Sequence, residues 1–273
     1  MEFLSFCRAH GILIDYVPPV GVWKRFPTDD HPRSKNGAVK YMGDHAFVQN
    51  HAIDTEVSIW KSDSPASVNR LQVARDIRDA ENKKMEMQRK ASRVAAEILK
   101  DCRFGKHDYL KAKGFPDEEG NIYVKDGEHF LVVPMRAGRN LVGCQLIDQA
   151  GGKKFLFGQR SSGAEFCFDN KGIHVLCEGY ATALSIRLAL KSIKKRYTLH
   201  VCFSAGNMKK IADMLKPDSG LVVADNDLSG TGERVAKEIG WNYWISEKPG
   251  EDANDFHQRV GLFRFSQSLL DKL

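Results

Sequence analysis

Between residues 20 and 62 the chain alternates short apolar runs with turn residues. Apolar positions then recur every three, four or seven residues, and after residue 172 they gather into solid blocks of four or five. Each change of period predicts a change of structure. The runs GVWKRF, GAVKYM, HAFVQN and EVSIWK are separated by turns such as SKNGA and MGDH, whose Asn-Gly and Gly-Asp steps tolerate positive φ. They predict a small antiparallel β domain over 1–65. Leu71, Ala74, Ile77, Ala80, Met87, Ala91, Val94 and Ile98 fall at helical spacing, with no Gly or Pro between Pro65 and Gly105, which predicts one long helix over 66–104. At ~1.5 Å per residue it would run for roughly 50 Å. Strands and turns return over 105–171, at 129–136, 140–148 and 153–157, with Gly138 and Gly151-Gly152 as turns. From 172 to 273 the blocks IHVLC, LHVCF, LVVA and NYWI each precede a helix-like segment. That rhythm predicts a parallel sheet with helices on its faces.

Composition narrows the class. No apolar run approaches the ~18–20 residues of a membrane span, and the start MEFLSFCRAHGILIDYV carries an acid where an export signal has basic residues, so no membrane partner and a cytoplasmic location are expected. The six cysteines form no C-x-x-C pair, and Cys7 with His10 has no second pair at ligand spacing; neither zinc nor a disulfide framework is expected. The net charge of +6 allows a polyanionic partner without requiring one. The long helix holds ten basic and six acidic residues from Arg70 to Arg103, which suits a solvated connector better than a DNA-binding helix. On the N-terminal sheet, Trp23, Tyr41, Phe47 and Trp60 stand beside Lys24, Arg25, Arg33, Lys35 and Lys40. Such a mixture suits single-stranded nucleic acid, whose bases stack while its phosphates pair with cations. It suits the core of a small sheet equally well.

The chemistry-bearing residues are acidic. In open parallel sheets, ligand sites form beyond the carboxyl ends of strands. Glu178 follows IHVLC, Asp225 and Asp227 follow LVVA, and Asp252 and Asp255 follow NYWI, so three acidic groups share one edge. Converging carboxylates repel by roughly 1–4 kcal/mol per pair at solvent-like dielectric and raise one another's pKa. A divalent cation removes that cost, and Mg²⁺ is usually held by one or two carboxylates plus substrate phosphates. Turn formation and N-capping account for Asp227 or Asp252 singly, but not for three groups at three strand ends. DLSGTGER has the glycines of a phosphate loop without its lysine, so no NTP-driven motor is expected. His174, His200 and His257 read as unpaired surface or packing residues.

The segments LCEGYATALS, VVADNDLSGTG and EDANDFH resemble the Toprim fold of bacterial primases, topoisomerases and some nucleases. GVWKRFPTDDHPRSKNGAVKYMGD, the long charged helix, HDYLKAKG, LVVPMRAGRNLVGCQLIDQAGGKKFLFG and EGYATA follow in the order seen in Toprim-domain DNA primases of the phage and plasmid type, over nearly the whole chain. The resemblance implies an α/β fold: a Toprim-type parallel sheet flanked by helices, preceded by a strand-rich basic subdomain, with the small N-terminal β domain joined by the long helix. It implies that Glu178 acts in acid/base work, that Asp225 and Asp227 are catalytic and the main ligands of Mg²⁺ or Mn²⁺, and that Asp252 and Asp255 form an outer acidic pair. Bacterial primases carry a further aspartate where this chain has Thr182, whereas the phage and plasmid branch shows the Ala-Thr found here. Many primases also carry a zinc ribbon that reads the template, for which this chain has no cysteines. Template binding is therefore assigned to Trp23, Lys24, Arg25, Lys35 and Tyr41, and phosphate binding to Arg136, Arg139, Lys153, Lys154 and Arg160; strand alternation turns one of Lys153 and Lys154 towards the cleft. The implied activity is synthesis of short RNA primers on single-stranded DNA from ribonucleoside triphosphates for DNA replication, beside a separate replicative helicase, in a bacterial or phage-infected cell. The alternatives are a Toprim nuclease and a non-catalytic nucleic-acid-binding replication adaptor.

Overall fold

The computed structural model describes the chain except residues 52, 54–56, 64–69 and 216–218. It forms two compact units, Met1–Glu86 and Met87–Leu273. Glu56 of the expected EVSIWK strand and the first residues of the expected long helix lie outside the described residues.

The first unit begins with a helix, α1 (Phe3–Ala9), which the sequence reading did not anticipate. Four strands follow: β1 (Trp23–Phe26), β2 (Gly37–Tyr41), β3 (His45–Asn50) and β4 (Ser58–Lys61). They pair antiparallel in chain order. Because directly opposed residues share a face of an antiparallel sheet, the register puts Phe26, Val39, Tyr41, Ala46, Val48 and Trp60 on one side. These pack with Phe3, Cys7, Ile12 and Ile14 into a single apolar cluster. The Phe3 ring lies 4.8 Å from that of Tyr41 and 5.4 Å from that of Trp60, whose indole N–H donates to the Met1 carbonyl at 2.8 Å. The opposite face runs Trp23, Lys40, Phe47, Ile59 across the four strands.

Helix α2 (Arg70–Asp101) passes from the first unit into the second. Its apolar period is real, but burial is confined to its last third: Ala91, Ala95 and Ile98 are buried, whereas Leu71 and Met87 are exposed. Ala95 and Ile98 pack with Val132 and Cys144.

The second unit holds two sheets. β5 (Arg103–Gly105), β6 (Gly120–Lys125), β7 (Glu128–Ala137), β8 (Asn140–Ile147) and β9 (Lys153–Phe155) form an antiparallel sheet in chain order, with α3 (Asp108–Ala112) between its first two strands. β9 is shorter than expected: it ends at Phe155, two residues early.

The remaining elements are β10 (Phe166–Asp169), β11 (Ile173–Cys177), α4 (Tyr180–Ser192), β12 (Tyr197–Val201), α5 (Ala205–Leu215), β13 (Leu221–Ala224), α6 (Thr231–Ile239), β14 (Asn242–Ile245), α7 (Ala253–Val260) and α8 (Leu262–Leu270). The sheet order is β10-β12-β11-β13-β14, parallel throughout except for the antiparallel edge strand β10. Alternate residues face opposite layers. Val175, Leu199, Val201, Leu221 and Val223 pack with Leu184 and Ile186 of α4, Ala253 of α7 and Phe265 of α8. Leu176, Val222 and Ala224 pack with Met208 and Ile211 of α5 and Val235 of α6. The result is a mixed α/β body with helices on both faces of a buried sheet. No described helix is long and apolar enough to cross a membrane.

The order of strands decides where a site can form. β11 connects to β12 on one side, and the chain then crosses to β13 on the other side of β11. The carboxyl ends of β11 and β13 therefore flank a point where the winding reverses, the place where open α/β sheets leave a crevice.

Candidate active site

Glu178 is the first residue after β11 and Asp225 the first after β13, so both stand at this reversal. The two are joined by Asp252, the N-cap of α7. All three line a cleft of about 240 Å³, together with Tyr109, Lys113, Gln145, Lys153, Thr182 and Phe203.

The loop after β13 is shaped by two glycines and by Asp227. Gly230 adopts φ +66°, which favours glycine. A side chain at Gly232 would put its Cβ 2.3 Å from the Asp225 carbonyl oxygen, so only glycine lets the first turn of α6 approach so closely. Asp227 accepts from the backbone N–H of Ser229 at 2.8 Å, of Gly232 at 3.0 Å and of Thr231 at 3.3 Å, and from the Ser229 hydroxyl. Burial works to raise its pKa, but these donors prevail and hold it below the usual carboxylate range. Asn226 fastens the loop to the next one: its amide donates to Ser246 O at 2.8 Å, and its carbonyl accepts from Gly250 N at 2.6 Å.

Asp225 differs from its neighbour. Its Oδ1 is buried without a hydrogen-bond partner. Burial, then the charges of Glu178 and Asp252, push its pKa up to about 7, with Lys153 opposing. Glu178 is also raised, first by burial, with a lesser push from Asp227; the backbone N–H of Ala205 and the charge of Lys153 act the other way. An unsatisfied buried polar atom costs about 1–3 kcal/mol, more when charged. A cation beside Asp225 would remove that cost, so the donor set at this point fits a hard divalent ion held by one or two carboxylates. Among the described residues no three acidic, His or Cys side chains form a closed coordination group.

The other expected site residues divide. Asp255 is brought to a different recess: it is exposed, pairs with Lys113 at 3.4 Å, and lines an adjoining cavity of about 410 Å³ rather than the acidic cleft. Of the two adjacent lysines, Lys153 lines the acidic cleft and the adjoining cavity, as Phe155 two residues on lines the former; Lys154 lines neither. Arg136, Arg139 and Arg160 line neither as well. Arg136 reaches the Arg139 carbonyl at 3.3 Å and Arg160 the Ser162 carbonyl at 3.0 Å, so all three are accounted for at exposed turns.

In the first unit, Tyr41 sits on the packed face with Phe3 and Trp60 and is a core residue, not a template contact. Lys24 shares the register of that face with Val39, though its own side chain is exposed. Lys35 lies outside the strands. Trp23 and Arg25 stand on the outer face, with Trp23 47 % exposed and its ring 6.4 Å from Phe47. Lys40 and Lys61 share that face by register.

Several groups escaped the sequence reading because only the fold assembles them. Phe203 adopts φ +65°, an uncommon conformation for a bulky residue, fixed by its N–H bond to the Glu178 carbonyl at 2.9 Å. Glu251, beside the expected Asp252, is a buried structural acid: Arg259, helped by the Ser246 hydroxyl, holds its pKa down to about 2. The histidines are not unpaired. His200 is buried, with Nδ1 2.6 Å from Glu165 Oε2 and Nε2 2.9 Å from His174 Nδ1, and His257 Nδ1 is 3.0 Å from Ser185 Oγ. Compared with protein-family models and with curated proteins, the chain matches none.

Proposed function

We propose that the chain is a DNA primase of the phage and plasmid Toprim type, which makes short RNA primers on single-stranded DNA by Mg²⁺-dependent nucleotidyl transfer. One observation carries the reading: at the reversal of the sheet, Glu178, Asp225 and Asp252 share a cleft with Lys153, and a carboxylate oxygen of Asp225 is buried there without a donor. Hard oxygen ligands beside an ammonium group suit Mg²⁺ with phosphates better than they suit zinc, which favours nitrogen and sulfur.

Asp225 and Asp227 would hold the ion, with Asp252 lining the same cleft. Bound there, Mg²⁺ or Mn²⁺ supplies Lewis-acid polarisation of the triphosphate and activation of the attacking hydroxyl. Glu178, whose raised pKa makes it a better base near neutrality, accepts the proton of the primer 3′-hydroxyl. The 3′-oxygen bonds to the α-phosphorus of the incoming ribonucleotide, the bond to the bridging oxygen breaks, and pyrophosphate leaves with the electron pair. Lys153 offsets the charge that builds on the phosphates. The outer face of the first unit, with Trp23, Arg25, Lys40 and Phe47, takes the single-stranded template, and unwinding falls to a separate helicase.

The test is incubation with single-stranded DNA, labelled ribonucleoside triphosphates and Mg²⁺. Short RNA complementary to the template supports the reading. Shortened DNA without RNA would mean a nuclease using the same acids on water, and DNA binding without either product would mean an adaptor.

A further inference from the structure

The cavity next to the acidic cleft is assigned no part in the reaction above. It measures about 410 Å³, and its described walls include Tyr109, Lys113, Gln149, Lys153, Asp255 and Gln258. Tyr109, Lys113 and Lys153 also line the acidic cleft, so the two recesses are continuous. Two ammonium groups, a phenol and two carboxamides give the second recess mainly hydrogen-bond donors. Asp255 is its one acid among the described lining residues, and it is paired with Lys113.

Two features point to a missing ligand. Tyr109 is 4 % exposed, and its hydroxyl is buried with no hydrogen-bond partner. Burial and then the charges of Asp252 and Asp255 push its pKa up, so the phenol keeps its proton and can only be satisfied as a donor by an acceptor oxygen brought to it. Lys113 is held to Asp255 at 3.4 Å, longer than the ~2.7–2.9 Å of a strong charge-assisted bond, which leaves its ammonium available to a second anion. The recess itself is rigid on this side: the Lys113 carbonyl accepts from the buried Asn254 amide at 2.9 Å.

We infer that this recess is the subsite for the β- and γ-phosphates of the incoming nucleoside triphosphate, with Lys113 and Lys153 flanking the phosphate chain and the Tyr109 hydroxyl donating to one of its oxygens. The inference rests on the nucleotidyl-transfer reading for the identity of the ligand. The two recesses then divide one substrate: the reacting α-phosphate lies at the acids and the leaving pyrophosphate at the lysines. Tyr109 and Lys113 are binding residues that act on the leaving group and take no proton from the attacking hydroxyl.

The experiment is calorimetric titration of the full chain with GTP or ATP and Mg²⁺, in parallel with a single-stranded DNA oligonucleotide and without template. Lys113→Ala is expected to weaken triphosphate binding roughly ten- to a hundredfold, and Tyr109→Phe roughly three- to tenfold, with oligonucleotide affinity changed less than about twofold. Tyr109→Phe keeps the ring and deletes an unpartnered hydroxyl, so its melting temperature should equal or exceed that of the wild type, and it tests the inference even where Lys113→Ala fails to fold. Unchanged triphosphate affinity in Tyr109→Phe and in any folded Lys113→Ala, loss of oligonucleotide affinity instead, or no triphosphate binding by the wild type would each overturn it. A wild type that makes RNA while the variants bind triphosphate normally defeats this inference alone. A protein that binds triphosphate as expected but makes no RNA defeats the synthesis reading alone.

Discussion

The side-chain amide of Asn254 donates to the backbone carbonyl of Lys113 at 2.9 Å across 141 residues of sequence, and to the Ser185 hydroxyl at 3.0 Å. One buried amide thus ties α3, which carries Tyr109, to α4 and to α7, which carries Asp255 and is capped by Asp252. Asn254→Ala should leave buried groups unpartnered and cost about 1–3 kcal/mol of stability. Lys113→Ala keeps the carbonyl and should stay within about 0.5 kcal/mol of the wild type. Denaturant unfolding of both variants checks the difference.

Asp225 sets a pH dependence of the metal-free protein. Its pKa is raised from the ordinary 3.8 to about 7 in the folded state, so the folded chain binds this proton more tightly than the unfolded chain does. The stabilisation this gives is full below pH 3.8 and is lost as pH rises to about 7. Asp225→Asn should flatten that part of the stability profile. At pH 8 without metal it should melt higher than the wild type, a gain of about 1 kcal/mol corresponding to roughly 2–4 °C. Mg²⁺ should raise the melting temperature of the wild type at pH 8 and not that of the variant. An unchanged response of the variant to Mg²⁺ would remove Asp225 from the metal site.

Lys153 and Lys154 should behave differently although they are neighbours. Lys153 lines the acidic cleft and Lys154 does not. Lys153→Ala should raise the KM for ribonucleoside triphosphates roughly ten- to a hundredfold, the loss of one charge-assisted contact. Lys154→Ala should change it little. Equal small effects would mean that both are solvated surface charges.

The N-terminal sheet separates contact from packing in the same way. Trp23→Ala on the outer face should weaken single-stranded DNA binding by ~1–3 kcal/mol, the usual worth of one base stacked on an aromatic ring, without lowering the melting temperature. Tyr41→Ala should instead destabilise the first unit by roughly 2 kcal/mol or more, because its ring packs on Phe3 and Trp60. Fluorescence anisotropy with a labelled oligonucleotide, alongside thermal melting, distinguishes the two.

Much of the fold could be read from period alone. The blocks IHVLC, LHVCF, LVVA and NYWI are buried parallel strands because parallel sheets covered on both faces need continuous apolar runs. Their ends brought Glu178, Asp225 and Asp252 to one cleft. What remained illegible depends on contacts distant in sequence. Asp255 lies only three residues from Asp252, yet one helical turn carries it into the neighbouring recess. Tyr41 and Trp23 carry the same aromatic signal, and only the register, Tyr41 beside Ala46 and Trp23 beside Lys40, assigns them to opposite faces. His200 pairs with Glu165 and His174 because β10, β11 and β12 lie side by side, which no spacing discloses.

The most direct measurement is a primer-synthesis assay on single-stranded DNA of defined sequence with labelled ribonucleoside triphosphates and Mg²⁺, run on the wild type, Asp225→Asn and Asp227→Asn, with circular dichroism to confirm that each is folded. The wild type should give short RNA complementary to the template, and each variant should lose it by at least about a hundredfold, in keeping with the loss of a ligand to a catalytic ion. Folded variants that still synthesise RNA at near wild-type rates, or a wild type that shortens the DNA and makes no RNA, would contradict the account.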